Sequence, residues 1–556
     1  MGMASGAEQG ERGWAAWRVS GLRQELQEPD REVFAKAAKA VGAHPAAVKS
    51  QRFARRSIDA RGRGRDLHFV CQVDLVVPAG PTPPRLRRLI RSGKVLSTPV
   101  PESLEVRGQA GRRLVVVGAG PGGLFAALAG ALSGAEVTLV ERGEAIEHRG
   151  RKVVAFHRGG APDPDNNLLF GDGGAGTYSD GKLYTRVSDP LETAVIDELV
   201  RAGAPADIAF DARAHIGTDV LHRMLPRLRA RLEDLGVRFQ YGVRATGMAC
   251  RDGADGRRVR ALLTDGGELE LDALVLCIGH SARDTWDWLA AGGVAMEAKP
   301  FQVGVRVEHP QELITRGRYG PDPLAGVLGP ASYNLQSRGE VPAHSFCMCP
   351  GGRIVASVSE AGGLCTNGMS NSRHSSRWAN AALVTTLDPA AVGALGHTGP
   401  MAGVGLQREL ERRFFDAGGG TYAAPAQRAS DFLRGERSSG DLRTSYGFGA
   451  SPARVDQLLP ERVRDAIAGA LSRFDRAIPG FAGEDGLLVG IETRSSGPVR
   501  LPRDRGSFQA QGFANLFPAG EGAGYAGGIM SAAIDGARAA RAAVAGADRS
   551  ETSPEG

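Results

Sequence analysis

The stretch RRLVVVGAGPGGLFAALAGALSGAEVTLVERG, residues 112–143, decides the fold. An apolar run from Leu114 to Val117 leads into Gly118, Gly120 and Gly123. An Ala/Leu-rich helical segment follows, then a second apolar run ending at Glu141. Strand, glycine turn, helix, strand and terminal acid spell a βαβ dinucleotide site. Gly118 permits the tight turn, Gly120 lets backbone approach a pyrophosphate, and Gly123 lets helix and strand pack closely. Gly122 lies in the same turn. The helix start directs N–H groups and the positive dipole end at phosphates, while Glu141 is placed to accept ribose hydroxyls, with Arg142 beside it.

Working outward, two further glycine clusters narrow the ligand. FGDGGAGTYSDGKL, residues 170–183, sets Gly173, Gly174 and Gly176 beside Thr177, Ser179 and Lys182. Such a segment suits a loop wrapped along an extended ligand, its N–H groups cradling phosphate or ribityl oxygens. Near the other end, NLFPAGEGAGYAGGIM, residues 515–530, reads as a strand, then Gly520–Glu521–Gly522, then a helix opening near Gly528 and Ile529. Gly522, Gly524 and Gly527 repeat the GxGxxG spacing, but no βαβ unit or ribose acid follows. The chain's end is therefore expected to close the first site. Between these clusters come an amphipathic helix over 215–235, a small strand meander opening at Ala245, and a return strand from Leu269 to Ile278 that reaches Gly279 and His280. An FAD-sized, non-covalent ligand fits this set, with Ala245 and Gly279 counted among its neighbours.

Composition bounds the rest. No stretch approaches the length of a membrane span, and the first residues carry no apolar signal core. Six cysteines, with no CxxC pair, fit a reducing, cytoplasmic setting. They form no metal-ligand cluster with histidine, so no metal site is expected. The net charge of +6 is uneven, because residues 1–110 hold 19 Lys/Arg against 11 Asp/Glu. This region reads as a small α/β unit of ferredoxin-like pattern: a strand from Trp17 to Leu22, a helix over 30–41, a connection through 55–61, a strand over 67–77 and a short basic helix over 85–91. Arg55, Arg56, Arg61, Arg63, Arg65 and that helix make it basic enough to consider nucleic acid as a partner.

The domain plan is a small N-terminal α/β domain with linker over 1–110 and a Rossmann-type FAD-binding domain over 111–294, completed by 491–545. A mixed α+β substrate domain is inserted over 295–490, with a long helix through 455–477, and 546–556 form a disordered tail. The fold class is α/β.

The combination of Gly118–Gly120–Gly123–Glu141, a strand ending at Ile278–Gly279 and a terminal Phe517–Pro518–Ala519–Gly520–Glu521–Gly522 resembles flavoproteins of the glutathione reductase structural class. More narrowly, FGDGGAGTYSDGKL, CIGHSARDT, FQVGVRVEHP, SFCMCPGG, NGMS and ETRSSGPVR resemble a bacterial FAD-dependent dehydrogenase family with a small basic N-terminal domain. The resemblance runs from about Trp17 to the chain's end. It implies FAD and a hydride-transferring oxidoreductase whose small-molecule substrate is unidentified. The chain departs from the family pattern ETRTSSPVR at Ser495 and Gly497, and from the usual terminal Asp at Glu521.

Lys182, His280, His309 and Cys347 are the candidate acids, bases or nucleophiles, with Glu308 and His344 as further candidates; Lys182 is also a candidate to neutralise a phosphate or the flavin. In a regular strand, the CxC pair Cys347 and Cys349 is held about 6.6–6.8 Å apart between Cα atoms, at the far limit of disulfide geometry, and makes a poor disulfide. Without a second nucleotide domain, NADH or NADPH as electron donor would stack transiently in the substrate cleft. A flavin-dependent RNA-modifying protein using residues 1–110 is the alternative. The oligomeric state is open.

Overall fold

The computed structural model describes residues 13–60, 66–98, 101–183, 189–211, 214–254, 256–320 and 328–545. They fall into two compact units. Arg61, Arg63, Arg65 and the tail over 546–556 lie outside the described residues.

The first unit contains β1 (Trp14–Glu25), α1 (Asp30–Val41), β2 (Ser50–Asp59), β3 (His68–Pro78), α2 (Pro84–Arg91) and β4 (Val95–Ser97). Its strands pair antiparallel in the order β2-β3-β1-β4, a split βαβ arrangement. Val33, Phe53, Val73, Leu75 and Leu86 form its core. The segment over 55–61, expected as a connection, is instead the second half of β2 up to Asp59. β2 is an edge strand whose inward apolar signal is thin, and alternation is weak where one edge and one face meet solvent. Arg56 on this strand packs over the rings of Phe53, Phe69 and Phe210 and pairs with Asp30. Arg85, Arg87, Arg88 and Arg91 of α2 are exposed, with Leu86 buried.

The second unit holds the dinucleotide stretch. β5 (Arg113–Val117), α3 (Pro121–Leu132) and β6 (Glu136–Glu141) form the expected βαβ, with Leu114 opposite Val137 in parallel register. The long helix α4 (Thr218–Asp234) leads to β7 (Arg238–Tyr241), which pairs parallel with β6. A three-stranded antiparallel meander follows: β8 (Ala245–Arg251), β9 (Arg258–Thr264) and β10 (Gly267–Glu270). The return strand β11 (Ala273–Leu276) lies beside β5.

A seven-stranded sheet occupies the middle of the chain. It is built from β12 (Phe301–Pro310), β13 (Gln336–Ser337), β14 (Ala343–Cys349), β15 (Trp378–Leu387), β16 (Ala424–Arg428), β17 (Ala450–Pro452) and β18 (Leu487–Glu492), in the order β13-β14-β15-β12-β18-β16-β17. The helix expected through 455–477 is two helices, 455–458 and α5 (Glu461–Ala477), because Pro460 at the break has no N–H to continue the first. β19 (Leu516–Pro518) then completes the parallel sheet, in the order β19-β11-β5-β6-β7, before the final helix α6 (Ile529–Ala545). Among the described residues no helix is long and apolar enough to cross a membrane.

Candidate functional site

β5 ends where Gly118 turns the chain at φ +100°, and a side chain there would strike the Cys277 carbonyl just beyond β11. Gly120 stands at the N-cap of α3 with Pro121 next, so no side chain occupies the first-turn N–H groups. A Cβ at Gly123 would overlap the Gly118 carbonyl. Gly123→Ala is therefore expected to push α3 off β5 at about 2 kcal/mol. An unchanged denaturation midpoint would contradict this packing. Gly122 meets α6 in the same manner, since a Cβ on Gly536 would overlap the Gly122 carbonyl.

Glu141, at the end of β6, is buried. Its carboxylate accepts from the N–H groups of Ala119 at 2.8 Å, Gly143 at 2.9 Å and Gly171 at 2.9 Å. Of about four lone-pair positions, these bonds take three. Glu141 thus ties the glycine turn to the second glycine loop. Arg142 lies over the Phe170 ring and forks between Asp165 and Asp284.

The second loop has an organiser that the sequence reading overlooked. Arg149, 0% exposed, donates to the carbonyls of Asn167 (2.9 and 3.0 Å), Gly171 (3.3 Å), Asp172 (2.6 Å) and Gly174 (3.0 Å). Burial lowers its pKa, and Tyr178, Glu141 and Asp172 act against that. Its signal was present: Ile146, Arg149, Val153 and Phe156 recur at helical spacing, so Arg149 falls on the buried stripe. Held this way, Gly173 donates to the Ala119 carbonyl at 2.8 Å. A Cβ on Gly174 would lie 2.9 Å from the Gly120 Cα, and one on Gly176 would lie 3.3 Å from the Ile529 side chain. Thr177 and Ser179 turn their hydroxyls onto carbonyls of their own loop, so they shape it. Thr218, the first residue of α4, donates to the Ser179 carbonyl at 2.7 Å.

The chain's last turn closes against the return strand. Gly520 donates to Asp535, which also pairs with Arg503. The Gly522 carbonyl accepts from the Trp286 indole at 3.0 Å. Glu521 faces His280, Oε2 to Nε2 3.7 Å, and burial keeps His280 below its ordinary pKa. Gly497, one of the two departures from the family pattern, leaves room there, since a Cβ would come within 3.1 Å of the Glu521 carbonyl. The other, Ser495, keeps a hydroxyl that donates to Glu492 at 2.6 Å. Behind this turn, Glu411 is bracketed by Arg283 and Arg494, all three buried.

The residues present fit the cofactor expected from the sequence. Cβ positions at Gly279, Gly520, Gly527 and Gly528 meet nothing within 4 Å, and the Cβ position at Gly120 meets only the Gly174 Cα, at 3.8 Å. Ala245 instead packs in the apolar core with Val117 and Leu276.

Lys182 and Cys347, far apart in sequence, are brought together. Lys182 Nζ donates to the Asp180 carboxylate and to the Met348 carbonyl, and Ser370 also donates to Asp180. His309 lies elsewhere: fully buried, its Nε2 donates to the Phe481 carbonyl at 2.8 Å, and burial brings its pKa down to about 4. Glu308 is taken by Thr444 and Ser445, and His344 lies against Gln302.

With this geometry in view, the relatives can be placed. An uncharacterised protein of Clostridium beijerinckii is 41% identical over 433 residues, covering 77% of this chain and 80% of the relative. The chain belongs to that protein's family. Residues 300–495 match the model of an FAD-dependent protein, C-terminal domain-like, and residues 18–76 match a domain of unknown function. FAD is accordingly the cofactor. Solved structures similar to parts of the chain include CtdE in complex with FAD, at 10% identity and TM-score 0.32 over 77% of this chain and 83% of that one. Another is glycine oxidase from Geobacillus kaustophilus, at 12% identity and TM-score 0.29 over 76% and 93%. Likeness this low carries nothing about substrate or reaction.

Proposed function

We propose that this chain is an FAD-dependent oxidoreductase that moves a hydride between the flavin and a small-molecule substrate. One observation carries the reading. The Gly173–Gly176 loop packs against Gly120 at the start of α3 and against Ile529 at the start of α6, so two helix N-termini flank one glycine-lined space. Bound FAD supplies the two-electron chemistry, and the protein supplies binding and electrostatics. The α3 start and Gly120 hold the pyrophosphate, Glu141 offers its remaining lone pair to the ribose, and Gly279 with Gly520 leave room for the ribityl chain. The α6 start, from Gly528 and Ile529, favours negative charge developing beside it. Neutral His280, next to Glu521, is the group able to take or give a proton on this side.

The test is anaerobic. Bound flavin should bleach with NADH, NADPH or dithionite and be reoxidised by a member of a metabolite panel. Gly120→Glu should yield colourless protein, because a carboxylate would occupy the phosphate position. Flavin in Gly120→Glu at the wild-type level, or a wild-type flavin that dithionite fails to reduce, would overturn the reading.

A further inference from the structure

The second place where titratable groups converge is the end of β14. There Cys347 takes the left-handed backbone conformation, φ +44°, rare for a residue with a side chain. The pairing with β15 slips between Phe346 and Cys349. In a regular strand the two thiols would share one face but sit at full extension, about 6.6–6.8 Å apart between Cα atoms, and this bulge breaks that extended spacing. Cys349 is buried and its Sγ donates to the Cys347 carbonyl at 3.3 Å, while Cys347 is half-buried. The bulge is held by cations from two other elements. Arg306 of β12, 0% exposed, donates to the Cys347 carbonyl at 3.1 Å, lies 3.9 Å from the Cys349 Sγ and pairs with Glu492 at 3.0 Å. Lys182 donates to the Met348 carbonyl between the two cysteines. His374, also left-handed, donates to the Pro350 carbonyl at 2.8 Å and stacks on His215.

We propose that Cys347 and Cys349 are a reversible dithiol–disulfide couple that reduces a low-molecular-weight disulfide, with Cys347 as the attacking thiolate and Cys349 as the resolving thiol.

The electrostatics divide the roles. Contact with the Cys349 side chain, then the Lys182 and Arg306 charges, hold the Cys347 thiol below the ordinary cysteine range against burial and Asp180. The Cys349 thiol is pushed up by Cys347 and by burial. The other titratable groups at the turn are His215 and His374, the latter held to about 4 by burial. In the first step the Cys347 thiolate attacks one sulfur of the substrate disulfide. That S–S bond breaks, a Cys347 mixed disulfide forms, and one substrate thiolate leaves. Cys349 then gives its proton to a departing substrate sulfur as its own sulfur attacks Cys347 Sγ. The products are the Cys347–Cys349 disulfide, one substrate thiol and one substrate thiolate; two electrons pass from the protein to the substrate.

The experiment uses pre-reduced holoprotein and oxidised glutathione as the probe, followed by alkylation and mass spectrometry of the tryptic peptide over 339–353, which carries both cysteines. Wild type should lose both alkylation sites and regain both on reduction. Cys349→Ser should keep glutathione on Cys347, and Cys347→Ser should carry none on Cys349. Alkylation of Cys347 should be half-maximal below the ordinary cysteine value of about 8.5, and Lys182→Met should move that midpoint upward. Two alkylated cysteines in wild type after the disulfide treatment would overturn the proposal whether or not the variants fold. So would an adduct at Cys349 alone. A yellow, reducible flavin together with that result would leave the FAD reading standing.

Discussion

Arg149→Met is expected to release FAD and to destabilise the protein by about 3–5 kcal/mol. Methionine fills similar space, so the loss is one of hydrogen bonds. The carbonyls of Asn167, Gly171, Asp172 and Gly174 would be left buried without their shared donor. An acceptor left with no partner costs about 1–3 kcal/mol; Gly171 keeps the Gly174 N–H and Asp172 the Thr177 hydroxyl, and relaxation of the loop recovers part of the rest. Relaxation is what harms function, because Gly173 and Gly174 would leave Ala119 and Gly120. Lysine keeps the charge but not the planar fork, so Arg149→Lys should fall between wild type and methionine. Denaturant midpoints with and without added FAD, and flavin retained through gel filtration, give the measurement. A methionine variant that keeps its flavin and lies within about 1 kcal/mol of wild type would remove Arg149 from this role.

Glu411→Gln should be comparably damaging. Arg283 donates to its carboxylate at 2.9 and 3.0 Å and Arg494 at 2.8 and 2.9 Å, while Thr493 adds a hydroxyl at 2.6 Å. Neutralising the acid leaves two buried guanidinium groups facing one another, with Glu360 still paired to Arg283, a loss of about 3–5 kcal/mol. The two arginines hold the Glu411 pKa far below the ordinary carboxylate range, in spite of burial. A carboxylate depressed in the folded state contributes its full stability above the unfolded value, about 4.3. That contribution drains away as pH falls below it toward the folded value. Wild type should therefore lose stability steeply below about pH 4, and Glu411→Gln should show a shallower acid limb from a lower plateau. Parallel acid limbs would contradict the assignment.

The βαβ unit was legible because its parts are local. Gly123 is explained by the Gly118 carbonyl in its own turn and Gly118 by a carbonyl one strand away, and periodicity located both strands and the helix between them. Arg149 was overlooked for the opposite reason. A charged residue on an apolar stripe reads as an interruption until the carbonyls it satisfies, about twenty residues further on, are in place. β2 escaped because an edge strand needs little inward apolar signal. The CxC pair was legible as a pair but not in its geometry. Full extension holds in a regular strand, and nothing in SFCMCPGG announces a left-handed residue at Cys347. Lys182 and Cys347, by contrast, were both legible as candidates, but their meeting is set by tertiary packing across more than 160 residues.

Three glycine clusters and Glu141 are expected to enclose one FAD per chain. Flavin released by denaturing the purified protein measures this directly, by absorbance and chromatographic identity. About one FAD per chain, released intact and absent from Gly120→Glu, is the predicted result. Protein that folds without flavin, takes up none from added FAD and is indifferent to Gly120→Glu would contradict it.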